Sequence, residues 1–193
     1  ISLRILRGLR LSAQLDFLLE EQTAAAIRHS TPLLQYVAWE RISAELLRLL
    51  CGPGAGRVLL AFPEVIGQIL PELVPAVGFL QYSPNHRFDV YTHSVKTLEG
   101  VRPEPALRLA ALLHDTGKPS CFTLDPEGIG HFYGHEEESA RLADCAARRL
   151  RLDRRTREQV VLLVGRHGLG LPLEERAVRR WLRRLGPESF LDL

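Results

Sequence analysis

Apolar residues return every three or four positions along most of this chain, and nowhere in a convincing alternation. Leu3, Leu6, Leu11 and Leu15 recur with Arg4, Arg7 and Arg10 between them, which predicts an amphipathic helix over 1–15. A short helix is expected over 20–28. Ser30-Thr31-Pro32 then reads as a cap followed by proline in a first turn, opening an amphipathic stretch to Leu50 with Ile42, Leu46, Leu49 and Leu50 on one face. Cys51-Gly52-Pro53-Gly54 ends it. Prolines at 63, 71, 75 and 84 break the next segment into short helices and turns, with a module boundary expected near 80–84. Further helices are predicted over 88–100, 103–115, 135–150, 156–167 and 173–185, and the Gly-, Pro- and Asp-rich stretch 116–134 as a loop or small hairpin. The fold class expected is all-α.

The chain has 193 residues, 46% of them apolar and 25% charged, with a formal net charge of +2. Those fractions suit a globular protein and argue against wholesale disorder. No apolar run approaches the length of a membrane span, and Arg4, Arg7 and Arg10 interrupt the N-terminus too often for a signal peptide. Three separated cysteines, Cys51, Cys121 and Cys145, suggest reduced thiols and a cytoplasmic setting. There is no methionine, and Ile1 already lies inside a helical pattern, so a piece of a longer protein is expected. Of the 25 basic residues only Lys96 and Lys118 are lysine, a bias that fits a GC-rich coding source.

The chemistry concentrates in the second half. His93 shares a face with Val90 and Thr97, and His114 continues the inward stripe of Leu107, Ala110 and Ala111. His135 aligns with Ser139 and Leu142, and His167 with Val160, Leu163 and Val164. Asp115 follows His114 at a predicted helix C-terminus, where the dipole opposes a carboxylate unless a cation or strong donors attend it. Any one of these imidazoles is equally readable as a core histidine satisfied by a carbonyl. Four on four successive helices favour a shared centre, and imidazole with carboxylate suits Mn, Ni, Fe or Zn, as one ion or two.

Leu113-His114-Asp115-Thr116-Gly117-Lys118 resembles the signature of the HD superfamily of metal-dependent phosphohydrolases, with His93 upstream and Gly134-His135-Glu136 downstream in keeping. The resemblance implies one metal held by His93, His114 and Asp115, and a second held by His135 and His167 with Asp115 bridging. It further implies water attacking phosphorus with the ions as clamp, Asp115 and Lys118 being the catalytic residues. Lys118 would meet the phosphate as a point charge, and Lys96, one turn past His93, is a second candidate for it. His86 is read either as lining the pocket or as serving a turn. The superfamily's final Asp ligand is expected from a later helix and falls beyond Leu193, with Asp192 a weak substitute.

A second region agrees with a narrower family. Residues 2–11 with Ala13-Gln14-Leu15-Asp16-Phe17, then Glu40-Arg41-Ile42, Glu45-Leu46, Ile69-Leu70-Pro71-Glu72-Leu73 and the run 84–93, resemble the neck, body and HD domain of bacterial tRNA nucleotidyltransferases and poly(A) polymerases. This implies a tRNA-binding body over 1–80 and an HD domain, truncated at its end, over 81–193. The family transfers nucleotides in a separate head with Mg and an Asp-x-Asp pair. No Asp-x-Asp occurs here, so nucleotide addition is not expected of this chain. Expected partners are a tRNA or RNA 3′ end and nucleotide phosphoesters, with no membrane and oligomerisation left open. Arg148, Arg149, Arg154 and Arg155, and a second run over 176–184, are candidate phosphate contacts, or else solvated faces in an arginine-biased chain. The two function classes are thus a metal-dependent phosphohydrolase and a non-catalytic tRNA-binding body with a degenerate HD domain.

Overall fold

The computed structural model describes residues 2–82 and 87–168. These residues are all-α apart from one small hairpin. The helices are α1 Leu3–Leu15, α2 Glu21–Ser30, α3 Trp39–Leu50, α4 Ala55–Ala61, α5 Pro63–Ile69, α6 Val90–Gly100, α7 Pro105–Leu113, α8 His135–Arg149 and α9 Arg154–Val164. Strands β1 Thr123–Leu124 and β2 Gly130–His131 pair antiparallel, with Thr123 opposite His131.

Acidic caps set several helix starts. Side chains of Glu20, Asp89 and Asp153 accept from the backbone N–H of Thr23, Thr92 and Thr156 at 2.9, 2.6 and 3.1 Å. Pro63 and Pro105 open α5 and α7, where a missing N–H costs nothing.

Two expectations are corrected. The stretch 31–50 is not one helix: α2 runs on through Ser30, Thr31–Tyr36 tightens into a 3₁₀ turn, and Val37 is extended before α3 restarts. Pro32 cannot donate to a helical ladder, and the Thr31 hydroxyl bonds back to the Ile27 carbonyl at 3.1 Å. On α1 the inward stripe is Leu6, Leu9 and Ala13, which leaves Leu11 and Leu15 40% and 66% exposed.

Helix α7 lies at the centre and touches α3, α6, α8 and α9. Helix α1 packs on α3 and α4, and α4 on α6. One apolar core runs from Leu6 through Leu46, Leu59 and Leu109 to Val164, so the residues on either side of position 80 share a single interior. A partly buried ion pair reinforces the seam: Arg149, at the end of α8, donates two hydrogen bonds to Glu72 at 2.9 and 2.5 Å. This central packing holds the ends of α6, α7, α8 and α9 around one point.

Candidate metal centre

That point is Asp115. Leu109, Leu112 and Leu113 anchor α7 in the core, so the chain leaves the helix at a fixed place. The exit turn is closed by the Thr116 hydroxyl donating to the Leu113 carbonyl at 2.8 Å and by the Lys118 N–H donating to the Asp115 carbonyl at 3.0 Å. Asp115 is 1% exposed. Gly117 allows the turn to dock: a Cβ there would lie 2.6 Å from the His135 carbonyl oxygen and 2.7 Å from the Ser139 nitrogen. The Ser139 hydroxyl accepts the Gly117 N–H at 2.9 Å.

Four imidazoles from four elements surround the carboxylate. The Nε2 atoms of His93 and His114 stand 3.5 and 3.1 Å from Oδ2, and those of His135 and His167 stand 3.4 and 3.5 Å from Oδ1. Three of the rings are fixed from behind. The Nδ1 atoms of His114, His135 and His167 lie 2.8, 2.7 and 2.6 Å from the carbonyls of Ala111, Phe132 and Val164. A carbonyl only accepts, so each Nδ1 carries a proton and each ring turns its Nε2 toward Asp115.

Both Asp115 oxygens are buried, Oδ2 beside the Lys118 ammonium at 2.8 Å and Oδ1 beside the His135 and His167 rings. A buried carboxylate flanked on both sides by imidazole Nε2 atoms, with three of the rings held by backbone carbonyls, fits a divalent metal. Two groups satisfy the geometry, His93–His114–Asp115 and Asp115–His135–His167, with ligand atoms in each within 4.8 Å of one another.

The electrostatics agree. Burial works against ionising Asp115, but the His114, His135 and His167 rings beside it outweigh that and hold it well below the usual carboxylate range. Burial likewise opposes a charged His135. The Asp115 carboxylate, the Phe132 carbonyl and Glu136 overcome it and raise the ring above an ordinary histidine.

The other predicted residues are placed differently. Lys118 is buried against the centre, its Nζ 2.8 Å from Asp115 Oδ2 and donating to Gln81 Oε1 at 2.8 Å. Lys96 is an exposed partner of Glu99 at 2.8 Å. Arg148 and Arg154 pair with Asp144 and Glu158, each at 2.7 Å, and Arg155 is exposed nearby. Arg149 is committed to Glu72. His86, Asp192, the predicted helix 173–185 and the arginine run 176–184 lie outside the described residues. Sequence reasoning missed Gln81 and Ser139, which carry no motif of their own. A cavity of about 250 Å³ opens beside His93, His114 and His167, its far wall apolar with Val101, Leu107 and Leu163.

Residues 85–188 match the HD domain family, and residues 16–76 match a region described as the probable RNA and SrmB-binding site of polymerase A. The chain belongs to the HD domain family. Similar proteins include an A-adding tRNA nucleotidyltransferase of Deinococcus radiodurans, 36% identical, and a CC-adding tRNA nucleotidyltransferase of Thermus thermophilus, 40% identical. Each alignment covers 94% of this chain and 45% of the relative. A multifunctional CCA protein of Aromatoleum aromaticum is 30% identical over 86% of the chain and 42% of its own length. The chain therefore spans less than half the length of these relatives.

Proposed function

We infer that this chain carries a metal-dependent phosphohydrolase centre joined to an RNA-binding body, and that it hydrolyses phosphoesters of nucleotides or RNA ends. The observation that carries the reading is Asp115, whose two buried oxygens each face two histidine Nε2 atoms at 3.1 to 3.5 Å. A divalent ion held there, Mn, Ni, Fe or Zn, would supply Lewis-acid charge to a phosphoryl oxygen and lower the pKa of water for attack on phosphorus. His93, His114, His135 and His167 would hold it with Asp115. Asp115 also keeps the centre anionic, and the three backbone carbonyls keep the rings from rotating away. Lys118 brings a fixed positive charge to the edge of the site, suited to a phosphoryl oxygen.

The body reading rests on the match over 16–76 and on relatives whose names refer to tRNA. On this reading the chain is a cytoplasmic RNA-handling protein, and the division near residue 80 is a functional boundary inside one continuous core. The deciding experiment is an assay with a generic phosphodiester and with tRNA, in Mn²⁺ and in chelator. Metal-dependent release of product, lost in Asp115→Asn, supports the hydrolase. RNA binding with no turnover under any metal leaves the non-catalytic body as the function.

A further inference from the structure

The chain between the two matched regions runs against the centre. Residues 79–82 are held on one side by the start of α6, where the Val90 N–H donates to the Phe79 carbonyl at 3.1 Å. On the other side the Gly130 N–H of the hairpin donates to the Tyr82 carbonyl at 2.7 Å. A Cβ at Gly130 would run into the Gln81 carbonyl oxygen, so the two backbones lie in direct contact. The Gln81 side chain is buried, and both ends of its amide are used. Its Nε2 donates to the Phe88 carbonyl at 3.2 Å, and its Oε1 accepts from Lys118 Nζ at 2.8 Å. A carbonyl only accepts and an ammonium only donates, so these two partners admit one orientation of the amide. The ammonium also stands 2.8 Å from Asp115 Oδ2 as an ion pair, its side chain 8% exposed and the Phe132 ring 5.4 Å away. Among the described residues, its directed hydrogen bond goes to Gln81.

We propose that Gln81 is a positioning residue of the centre: it fixes the direction of the Lys118 ammonium, so that the donors it does not take face Asp115 and the phosphoryl oxygen of a bound phosphoester. An ammonium carries three rotatable N–H donors on a flexible four-carbon stem, and an ion pair attracts it without directing it. Asp115 belongs to the metal centre. Gln81 supplies the direction, and its own place is set by backbone contacts on both sides. Without it the positive charge stays in the neighbourhood but meets the phosphate less often, so phosphate binds more weakly while the metal ligands are untouched. The other role open to this amide is to pin residues 79–82 to Phe88, and the two roles use opposite ends of the side chain. The inference rests on the phosphohydrolase reading above and deepens it, with Gln81 acting through Lys118.

Lys96 and Lys118 are the two lysines of the chain, so selective lysine labelling gives two side-chain signals in NMR spectra of the metal-free 193-residue protein. A held stem shows two inequivalent ε protons, and a mobile one shows an averaged pair. In the wild type Lys118 should be held and Lys96, 50% exposed, averaged. Gln81→Met and Gln81→Leu, each checked for an unchanged circular dichroism spectrum, should average Lys118. Gln81→Glu, which keeps the acceptor and loses the donor to Phe88, should leave it held. The second arm is calorimetric titration of inorganic phosphate into the Ni²⁺-loaded proteins. Gln81→Met should weaken phosphate binding roughly threefold or more, Lys118→Met at least as much, and the double variant no more than Lys118→Met alone. Positioning is overturned if Lys118 stays held in both Gln81→Met and Gln81→Leu, if Gln81→Glu releases it as they do, or if the two losses in phosphate affinity add. Absence of phosphate binding in the wild type overturns positioning and the phosphohydrolase reading together, whereas wild-type binding unmoved by Gln81→Met overturns positioning alone.

Discussion

Gly117 lies against the first turn of α8 so closely that a Cβ would come within 2.6 Å of the His135 carbonyl oxygen. The turn that follows Asp115 and the helix that brings in His135 are therefore one docked unit. Backbone conformation does not demand glycine here, since its φ is −78°. Close approach does. Gly117→Ala must push α8 away or distort the turn, and overpacking of this kind costs about 1–3 kcal/mol. The expected result is a lower unfolding midpoint together with weaker metal binding through His135, read by thermal melts with and without Ni²⁺. Unchanged melts would show that the contact relaxes freely.

The Arg149–Glu72 pair predicts a contrast between arginines that look alike in sequence. Glu72 is buried and accepts two hydrogen bonds from Arg149, whose side chain is 27% exposed. Removing one partner strands the other, and Arg149→Met should cost on the order of 2 kcal/mol, discounted from the fully buried case for that exposure. Arg154→Met, at a pair 85% exposed on the arginine side, should leave the melting temperature unchanged. Denaturant titration of the two variants checks the ordering.

The pH dependence of metal stabilisation follows from His135 and Asp115. His135 has a raised folded-state pKa, so in the metal-free protein its interactions stabilise below the ordinary histidine range and fade as pH rises through the raised value. A metal needs the same nitrogen bare. Protons and metal compete, while Asp115, held well below the usual carboxylate range, stays ionised throughout. The rise in melting temperature on adding Ni²⁺ should be larger at about pH 8 than at about pH 6. An equal rise at both would mean that imidazoles do not bind the ion.

RNA binding by the body should be electrostatic. If the region 16–76 grips tRNA through phosphates, the logarithm of the affinity falls linearly with the logarithm of salt concentration. Arg149→Met should leave that slope alone, because its guanidinium is committed to Glu72. Filter binding across a salt series reads both points, and a slope reduced by Arg149→Met would place that residue on RNA.

How much of this was legible beforehand depends on the range of the interactions. The centre was legible because each histidine continues an inward helical stripe and Asp115 sits where a helix dipole repels it. Those are local patterns. The break at Val37 was not, because the apolar spacing over 31–50 continues across it and only Pro32 marks the change. Leu11 and Leu15 fit a helical stripe equally well, and burial of the Leu6–Leu9–Ala13 stripe is decided by where α3 and α4 lie. The Arg149–Glu72 pair joins residues 77 positions apart, and Gln81 meets Lys118 across 37, separations that no motif encodes.

The central claim is that Asp115 and its four histidines bind a transition metal. Elemental analysis of protein purified without chelator and dialysed against metal-free buffer tests it most directly, with Asp115→Asn and His114→Ala handled in parallel. The account predicts bound Mn, Fe, Ni or Zn in the wild type, none in Asp115→Asn and less than the wild type in His114→Ala, with all three folded by circular dichroism. A folded wild type carrying no transition metal, or variants carrying as much as the wild type, would contradict it.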